Sequence, residues 1–445
     1  MKKKIIYSVI ILIGSILSLV LVNKYFPGKT IPSLFPRTGD SKVSGEYLNA
    51  QRTVEFYREQ IKMSPDEPKN YVELAQAFIQ EARVTGNHHE YIPKATELIE
   101  QALGLDQTNL EANLTKASIL LTLHQFENAK NIGEWAVSKY PYVSDGYGIL
   151  CDAYVELGEY EKAVKVCDKM LSIKPDLRSY SRASYLREIH GRIDDAIDAM
   201  KMAADAGVTG QENRAWTLYN LANLYLQTGK ADTAEYIFKG ILEERPYYAH
   251  AYSGLAKIMI GKKNYTGAIE NLINASRLSP EHVFTEQLAD IYLLLGNKEA
   301  EEKLNEKIIE AFEQHEEDGW NIDREFAQFC LIHNIKIKEA FERAEKDFKR
   351  RPNNIDDAAT YTLALCKTND FEKAKDIINK VIEINPSNPI MNYLSGVIYA
   401  SLGENEKAYK NFELSATSKY SLNVLLSSDA VNRLNSLKEN VLASK

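Results

Sequence analysis

The sequence predicts an all-α protein, a right-handed superhelical solenoid of about ten helix pairs that follows a single N-terminal transmembrane helix. Three observations support this prediction: alanines that recur at intervals of 34 residues, a proline twelve residues after most of them, and an uncharged apolar run near the N-terminus. A period of this size is typical of stacked helix pairs, in which each pair buries its apolar face against its neighbours. The periodic alanines are Ala129, Ala163, Ala234, Ala268, Ala340, Ala374 and Ala408.

The first residues predict the transmembrane helix. The run Ile5–Val22 is uncharged and 18 residues long, near the lower limit for a helix that crosses a bilayer. The lysines at 2–4 precede it, so the positive-inside rule keeps the N-terminus in the cytoplasm. We therefore expect residues 1–24 to be a signal anchor in the cytoplasmic membrane, single-pass, with the repeat domain on the extracytoplasmic side. A cleaved signal peptide is the alternative, although the small residues of a cleavage site are missing.

Residues 25–45 are predicted to form a flexible linker. Pro27–Val43 contains three prolines and two glycines and has no apolar period, which is typical of an extended tether. Residues 46–445 then form the solenoid. Helices over Glu46–Met63 and near Ser428–Leu442 are expected to cover its ends, because a terminal repeat lacks a neighbour on one side.

The positions between the alanines and prolines follow one pattern. Small residues stand where two helices would touch, bulky residues fill the remaining space, and a proline ends the second helix. The unit from Ala215 to Tyr248 supplies Leu218, Leu221, Ala222, Tyr225, Ala234, Phe238, Ile241 and Pro246. This spacing resembles that of tetratricopeptide repeats over most of the chain beyond Pro68. The stretch Tyr185–Met200 also resembles bacterial, membrane-anchored repeat proteins of unassigned activity.

Three units depart from the pattern. The unit from Pro68 to Asn109 is too long, and we expect its extra residues to form a long turn between its helices near Val84–Lys94. The unit from Leu177 has Gly207 and Val208 where the proline would stand. The unit from His282 continues into a long charged helix.

Composition excludes several classes of function. The net charge is −8 and the pI about 5.7, which argues against nucleic acid as a partner, because phosphate binding needs clustered Lys and Arg. None of the four cysteines forms a Cys-x-x-Cys motif, so a zinc site or a thioredoxin-like site is not indicated. We expect the cysteines to be small buried residues. Cys151 and Cys167 fall on the two helices of one unit and are the one pair that could meet.

The sequence contains no recognisable catalytic motif. A Gly-rich phosphate loop, a His-Glu-x-x-His motif and a Gly-x-Ser-x-Gly motif are all missing. The best metal candidate, His88-His89-Glu90, falls in the expected long turn and is interpreted as a solvated polar loop. We therefore predict that the protein is not an enzyme and that it uses no cofactor, no metal and no small-molecule substrate. An enzyme with an unrecognised site in this turn is the second alternative.

The resemblance implies that the first helix of each unit lines a concave surface. Inward positions in the middle of the chain combine aromatic and polar residues, which suits a groove that binds a peptide. Packing of Trp216 and Tyr219 against the neighbouring repeat is the alternative for these two residues. The predicted partner-binding residues are Tyr185, Trp216, Tyr219, Asn223, Lys257 and Asp290.

These features together predict a membrane-tethered scaffold. It would bind protein or peptide segments in the bacterial envelope, with the membrane contacted through the N-terminal helix. The first alternative is a soluble periplasmic or secreted adaptor that remains after cleavage of the N-terminal segment.

Overall fold

The computed structural model describes residues 31–37, 41–42, 44–418 and 420–443. This part of the chain contains helices joined by short loops and no strand. The helices are α1 Gly45–Met63, α2 Pro68–Thr85, α3 His88–Leu105, α4 Leu110–Thr122, α5 Phe126–Lys139, α6 Ser144–Glu156, α7 Tyr160–Ile173, α8 Leu177–Ile189, α9 Ile193–Asp205, α10 Glu212–Gln227, α11 Ala231–Glu244, α12 Ala249–Gly261, α13 Tyr265–Leu278, α14 His282–Leu294, α15 Lys298–Glu317, α16 Asp323–His333, α17 Ile337–Arg350, α18 Ile355–Lys367, α19 Phe371–Val381, α20 Pro389–Ser401, α21 Asn405–Thr417 and α22 Val424–Ala443.

The helices from α2 to α21 form ten consecutive pairs, each with a first helix (even number) and a second helix (odd number). Helix α1 packs on the first pair and α22 on the last, as expected for helices that cover the ends of a stack. The prediction of an all-α stack of helix pairs is confirmed.

The predicted membrane location is wrong. Among the described residues, no helix combines the length and the apolar character needed to cross a membrane. The run Ile5–Val22, on which that prediction and the predicted transmembrane helix depended, lies outside the described residues.

The periodic alanines lie where helices touch. All seven have no exposed surface, so a larger side chain at these positions would collide with a neighbouring helix. Glycines act in the same way at two closer contacts. A Cβ placed on Gly254 would lie 2.3 Å from the ring of Phe238, and one on Gly396 would lie 2.7 Å from the ring of Phe412. Small residues therefore set the spacing of the helices along the stack.

The stop prolines also take part in joining neighbouring units. At four prolines that follow a helix, the carbonyl oxygen accepts a hydrogen bond from a side chain six residues later. This second residue lies in the first turn of the next first helix, so the bond fixes the angle between units. The pairs are Tyr71 and Pro65 at 2.9 Å, Tyr147 and Pro141 at 3.1 Å, Tyr252 and Pro246 at 3.1 Å, and Asn392 and Pro386 at 3.1 Å.

The first unit differs from the prediction at its inter-helix turn. Helix α2 continues to Thr85 and α3 begins at His88, so the turn consists of Gly86 and Asn87 alone. The extra residues lengthen both helices to 18 residues each. The expectation of a long turn over Val84–Lys94 is therefore wrong, because the apolar pattern of each helix extends into the inserted residues.

The N-terminal residues 31–37 pack against the first unit. The guanidinium group of Arg37 is buried and pairs with the carboxylates of Glu81 and Glu46. The backbone N–H of Phe35 donates to the hydroxyl of Tyr91 at 3.1 Å. Part of the segment predicted as linker is thus attached to the helix stack.

The stack curves until it contacts itself six pairs later, and we call this contact the seam. In the seam, the C-terminal ends of α2, α4, α6 and α8 meet the loops that precede α14, α16, α18 and α20. The backbone N–H of Asn321 donates to Leu123 O at 3.0 Å, and the Asn354 side chain donates to Glu156 O at 3.0 Å. The side chain of Asn385 donates to Glu188 O at 3.3 Å.

These seam bonds have a common physical cause. The last carbonyl groups of a helix have no partner within that helix and carry partial negative charge. In the seam they face the N-terminal end of another helix, which carries partial positive charge. Donors such as Asn354, the N-cap residue of α18, satisfy both ends at once.

Candidate binding surface

The six predicted binding residues lie on four consecutive first helices. Tyr185 is on α8, the three residues Trp216, Tyr219 and Asn223 are on α10, Lys257 is on α12, and Asp290 is on α14. The structure brings some of them into contact and separates others, so they do not form one uniform surface.

Tyr219, Asn223 and Lys257 form a connected group across α10 and α12. The Lys257 ammonium donates to Asn223 Oδ1 at 3.0 Å and lies 5.8 Å from the centre of the Tyr219 ring. The Asn223 amide donates to the backbone carbonyl of Tyr219 at 3.0 Å. The Tyr219 ring also packs against Phe238 and His250, with ring centres 5.9 and 5.3 Å apart. This group is therefore held in place before any partner arrives.

Trp216 and Tyr185 remain accessible. Trp216 is 37% exposed and Tyr185 is 42% exposed, although both are large aromatic side chains. Burial raises the pKa of the Tyr185 hydroxyl, and the nearby carboxylates of Asp356 and Glu156 raise this pKa further. Tyr185 thus lies beside the seam, facing helices that are distant in the sequence.

Asp290 is buried and fully engaged. Its carboxylate contacts His333 Nε2 at 3.0 Å and accepts a hydrogen bond from the Asn423 amide at 2.8 Å. His333 Nδ1 lies 3.1 Å from the carboxylate of Glu301. Burial raises the pKa of Asp290, and the interaction with His333 opposes this rise. Asp290 joins α14 to α16 and to the start of α22, and it is not accessible to a partner.

Sequence reasoning missed several polar residues beside this surface. Glu188 accepts a hydrogen bond from Gln227, and burial raises the pKa of the Glu188 carboxylate. Arg182 forms a two-bond pair with Asp152, with distances of 2.8 and 2.5 Å. Glu188 and Asp152 occupy the same inward positions of their units as the predicted residues. Reading these positions in every unit of the sequence would therefore have found them.

Two cavities lie elsewhere on the described structure. One, of about 350 Å³, separates the N-terminal residues 35–37 from the loop before α14. The other, of about 600 Å³, lies at the seam between Phe126, Trp320 and Arg351. Neither is lined by any of the six predicted residues.

The structure also shows where the candidate metal ligands and the two cysteines of one unit lie. His88, His89 and Glu90 lie in the first turn of α3, and the described residues contain no group of three ligands that could hold a metal ion. Cys151 and Cys167 are both free and buried, on the neighbouring helices α6 and α7.

Comparison with known proteins identifies the repeats. A family model described as tetratricopeptide repeat matches residues 145–177 and 364–388, which cover the α6–α7 unit, the end of α18 and all of α19. The chain is 23% identical over 320 residues to tetratricopeptide repeat protein 21A of Mus musculus, covering 66% of this chain and 23% of that protein. It is 30% identical over 138 residues to the Vi polysaccharide export protein VexE of Salmonella typhi, covering 30% of this chain and 19% of that protein.

The chain therefore spans about a quarter or less of the length of these curated relatives. Among solved structures, it is similar to a tetratricopeptide repeat protein from Parabacteroides merdae, with 20% identity and a TM-score of 0.40 over 54% of this chain and 91% of the other. The two matched segments are tetratricopeptide repeats, and helix pairs of the same kind continue along the described stack, which supports a tetratricopeptide repeat protein of unassigned activity.

Proposed function

We propose that this protein is a non-enzymatic scaffold that binds an extended segment of a partner protein along α8, α10 and α12. The observation that carries the proposal is the exposure of Trp216 and Tyr185 beside the preformed group of Tyr219, Asn223 and Lys257. Exposed aromatic side chains next to fixed polar groups are the usual composition of a peptide-binding surface.

The two parts of the surface have different roles in this proposal. Trp216 and Tyr185 cover apolar side chains of the partner and provide most of the affinity. The Lys257 ammonium has three donors, of which Asn223 takes one, so it can also bind a carbonyl or carboxylate of the partner. Because Lys257 is already held by Asn223, little side-chain entropy is lost on binding.

The proposal is tested on the full chain in two steps. Affinity capture after crosslinking in the native host supplies the partner, and mass spectrometry of the crosslinked peptides identifies the bound segment. A synthetic peptide of that segment is then titrated against the wild type and against Trp216→Ala combined with Tyr185→Ala. We expect the double variant to bind about thirtyfold more weakly, since truncating central aromatic residues costs about 2 kcal/mol or more.

Tyr236→Ala is the matched control, because Tyr236 is 80% exposed on the second helix α11. It should bind the peptide as the wild type does. Equal affinity of the double variant and the wild type, with unchanged helical circular dichroism, would show that the partner binds elsewhere.

A further inference from the structure

The seam uses only part of the two edges of the stack. We call the ends of the second helices, with α1 counted among them, and the loops that follow them the lower rim. The turns after the first helices form the upper rim. The seam joins the lower rim before α14, α16, α18 and α20 to the upper rim after α2, α4, α6 and α8. Among the described residues, the seam does not include the lower rim of the early units or the upper rim of the late units. At the end of α12, Tyr420 from the loop before α22 contacts Gly261.

On the lower rim, the residue before the stop proline distinguishes the two parts. In the late units this residue is Arg245, Ser279, Arg351 or Asn385; the first three are at most 6% exposed, and Asn385 is partly buried. In the early units the same position holds Tyr140, which is 38% exposed, and Lys174, whose side chain is 61% exposed. The early residues occupy equivalent places, and no seam contact covers them within the part of the chain that the structure describes.

The upper rim shows the same division. Gly158 and Gly191 have positive φ and lie in close contact with the other side of the seam. A Cβ on Gly158 would lie 2.5 Å from the Asn353 backbone, and one on Gly191 would lie 2.7 Å from the Asn385 side chain. Gly296 and Gly403 have the same backbone conformation in the late units, with φ of 73° and 79°. No atom of the described residues lies within 4 Å of a Cβ placed on either. Their turns have the shape of the seam turns and no partner among those residues.

The unused lower rim also exposes large apolar side chains at four of its loops. A row of large apolar side chains exposed to solvent along one edge is typical of an interaction surface. They are Met63 at 68%, Leu105 at 47%, Tyr142 at 83% and Val208 at 67% exposed. On the unused upper rim, Leu295 beside Gly296 is 51% exposed.

We propose that the unused lower rim of one copy of this chain docks on the unused upper rim of a second copy, which continues the seam between molecules. The occupant is a second copy because each rim consists of the same repeat positions that already pair within one molecule. The contact is heterologous, so each added copy leaves one rim of each kind free. The protein therefore assembles head to tail into open chains rather than into closed dimers.

The test uses complementary variants of the full chain in sedimentation velocity experiments over a range of concentrations. The lower-rim variant is Tyr142→Glu with Val208→Glu, and the upper-rim variant is Leu295→Glu. The wild type should give masses that rise beyond a dimer as its concentration increases. Each variant alone should stay monomeric, and an equimolar mixture of the two should form a dimer that does not grow, because only one intact rim pair remains.

Tyr236→Glu is the control, as this exposed residue of α11 lies on neither rim, and it should assemble as the wild type does. Unchanged thermal unfolding of the rim variants verifies their folding, since their substituted side chains are exposed. A wild type that stays monomeric at all concentrations, a discrete dimer as its end point, or a mixture of variants that stays monomeric would each overturn the proposal.

Discussion

Contacts along the stack and contacts across the seam differ in their chemistry. Along the stack, the sides of helices meet, and the contacts consist of alanine, glycine and aromatic rings such as Phe238 against Gly254. Across the seam, the ends of helices meet, and arginine, asparagine and backbone carbonyls take part beside apolar contacts such as that between Tyr160 and Ile355. The difference follows from helix geometry, because a helix has its hydrogen bonds satisfied along its sides and unsatisfied at its ends.

Arg351 shows what this difference means energetically. Its guanidinium group is buried and contacts Asp347 at 2.5 Å, Asp357 at 2.8 Å and Glu156 at 3.4 Å. Glu156 belongs to α6, so this one cation joins two parts of the stack that are about 200 residues apart in the chain. The seam therefore adds a few buried charges to its apolar contacts, while the stack depends on many small apolar contacts.

The largest expected effect comes from removing that cation. Arg351→Ala removes the nearest counter-charge of the buried carboxylates of Asp347 and Asp357, which costs about 3–5 kcal/mol of unfolding free energy. Urea unfolding measures the loss. Arg178→Ala is the control, since Arg178 and Asp145 form an exposed pair worth less than about 1 kcal/mol. Equal losses for the two variants would contradict the importance given to the seam.

The second prediction compares one substitution on the two parts of the upper rim. Gly158→Ala and Gly403→Ala both place a Cβ at positive φ, which costs about 1–2 kcal/mol. Gly158→Ala also forces the Asn353 backbone away from the seam, which adds about 1–3 kcal/mol. The midpoint of urea unfolding should therefore fall further for Gly158→Ala than for Gly403→Ala. The opposite order would show that the Asn353 backbone moves away from the new methyl group without loss of stability.

The third prediction concerns the stack. Gly254→Ala should destabilise the protein by about 1–3 kcal/mol, because the new methyl group overlaps the Phe238 ring. Gly240→Ala on α11 should instead stabilise the protein by about 0.5–1 kcal/mol. No atom of the described residues lies within 4 Å of a Cβ placed on Gly240, and alanine favours the helix more than glycine does. Thermal unfolding gives both signs, and a stabilising Gly254→Ala would refute the close contact.

The smallest effect is a dependence on pH. Burial lowers the pKa of His333, but hydrogen bonds and charge interactions with Asp290 and Glu301 outweigh burial and raise it above its usual value near 6.5. The stabilisation is therefore complete below about pH 6.5 and is lost as the pH rises through the raised pKa. The difference in unfolding free energy between wild type and His333→Gln should shrink as the pH rises through this range. A difference that stays constant over this range would contradict the pairing of His333 with the two carboxylates.

Part of the candidate surface followed from the repeat register alone. The repeat register placed Tyr185, Trp216 and Lys257 on first helices. It places Asp290 on a first helix in the same way. The outcome at Asp290 differs because His333 and the start of α22 lie over it. A register gives the direction of a side chain from its own helix and contains no information on which distant helix covers it.

The sequence by itself determined the helix pairs, the small residues between them and, apart from the turn of the first unit, the helix boundaries. These features depend on neighbours within about one repeat, and alanine, glycine and proline restrict them locally. Only the tertiary structure decided where the curving stack contacts itself. That contact depends on the summed angles of six successive pairs, so Arg351 and Tyr140, which occupy equivalent positions before a proline, become buried and exposed respectively.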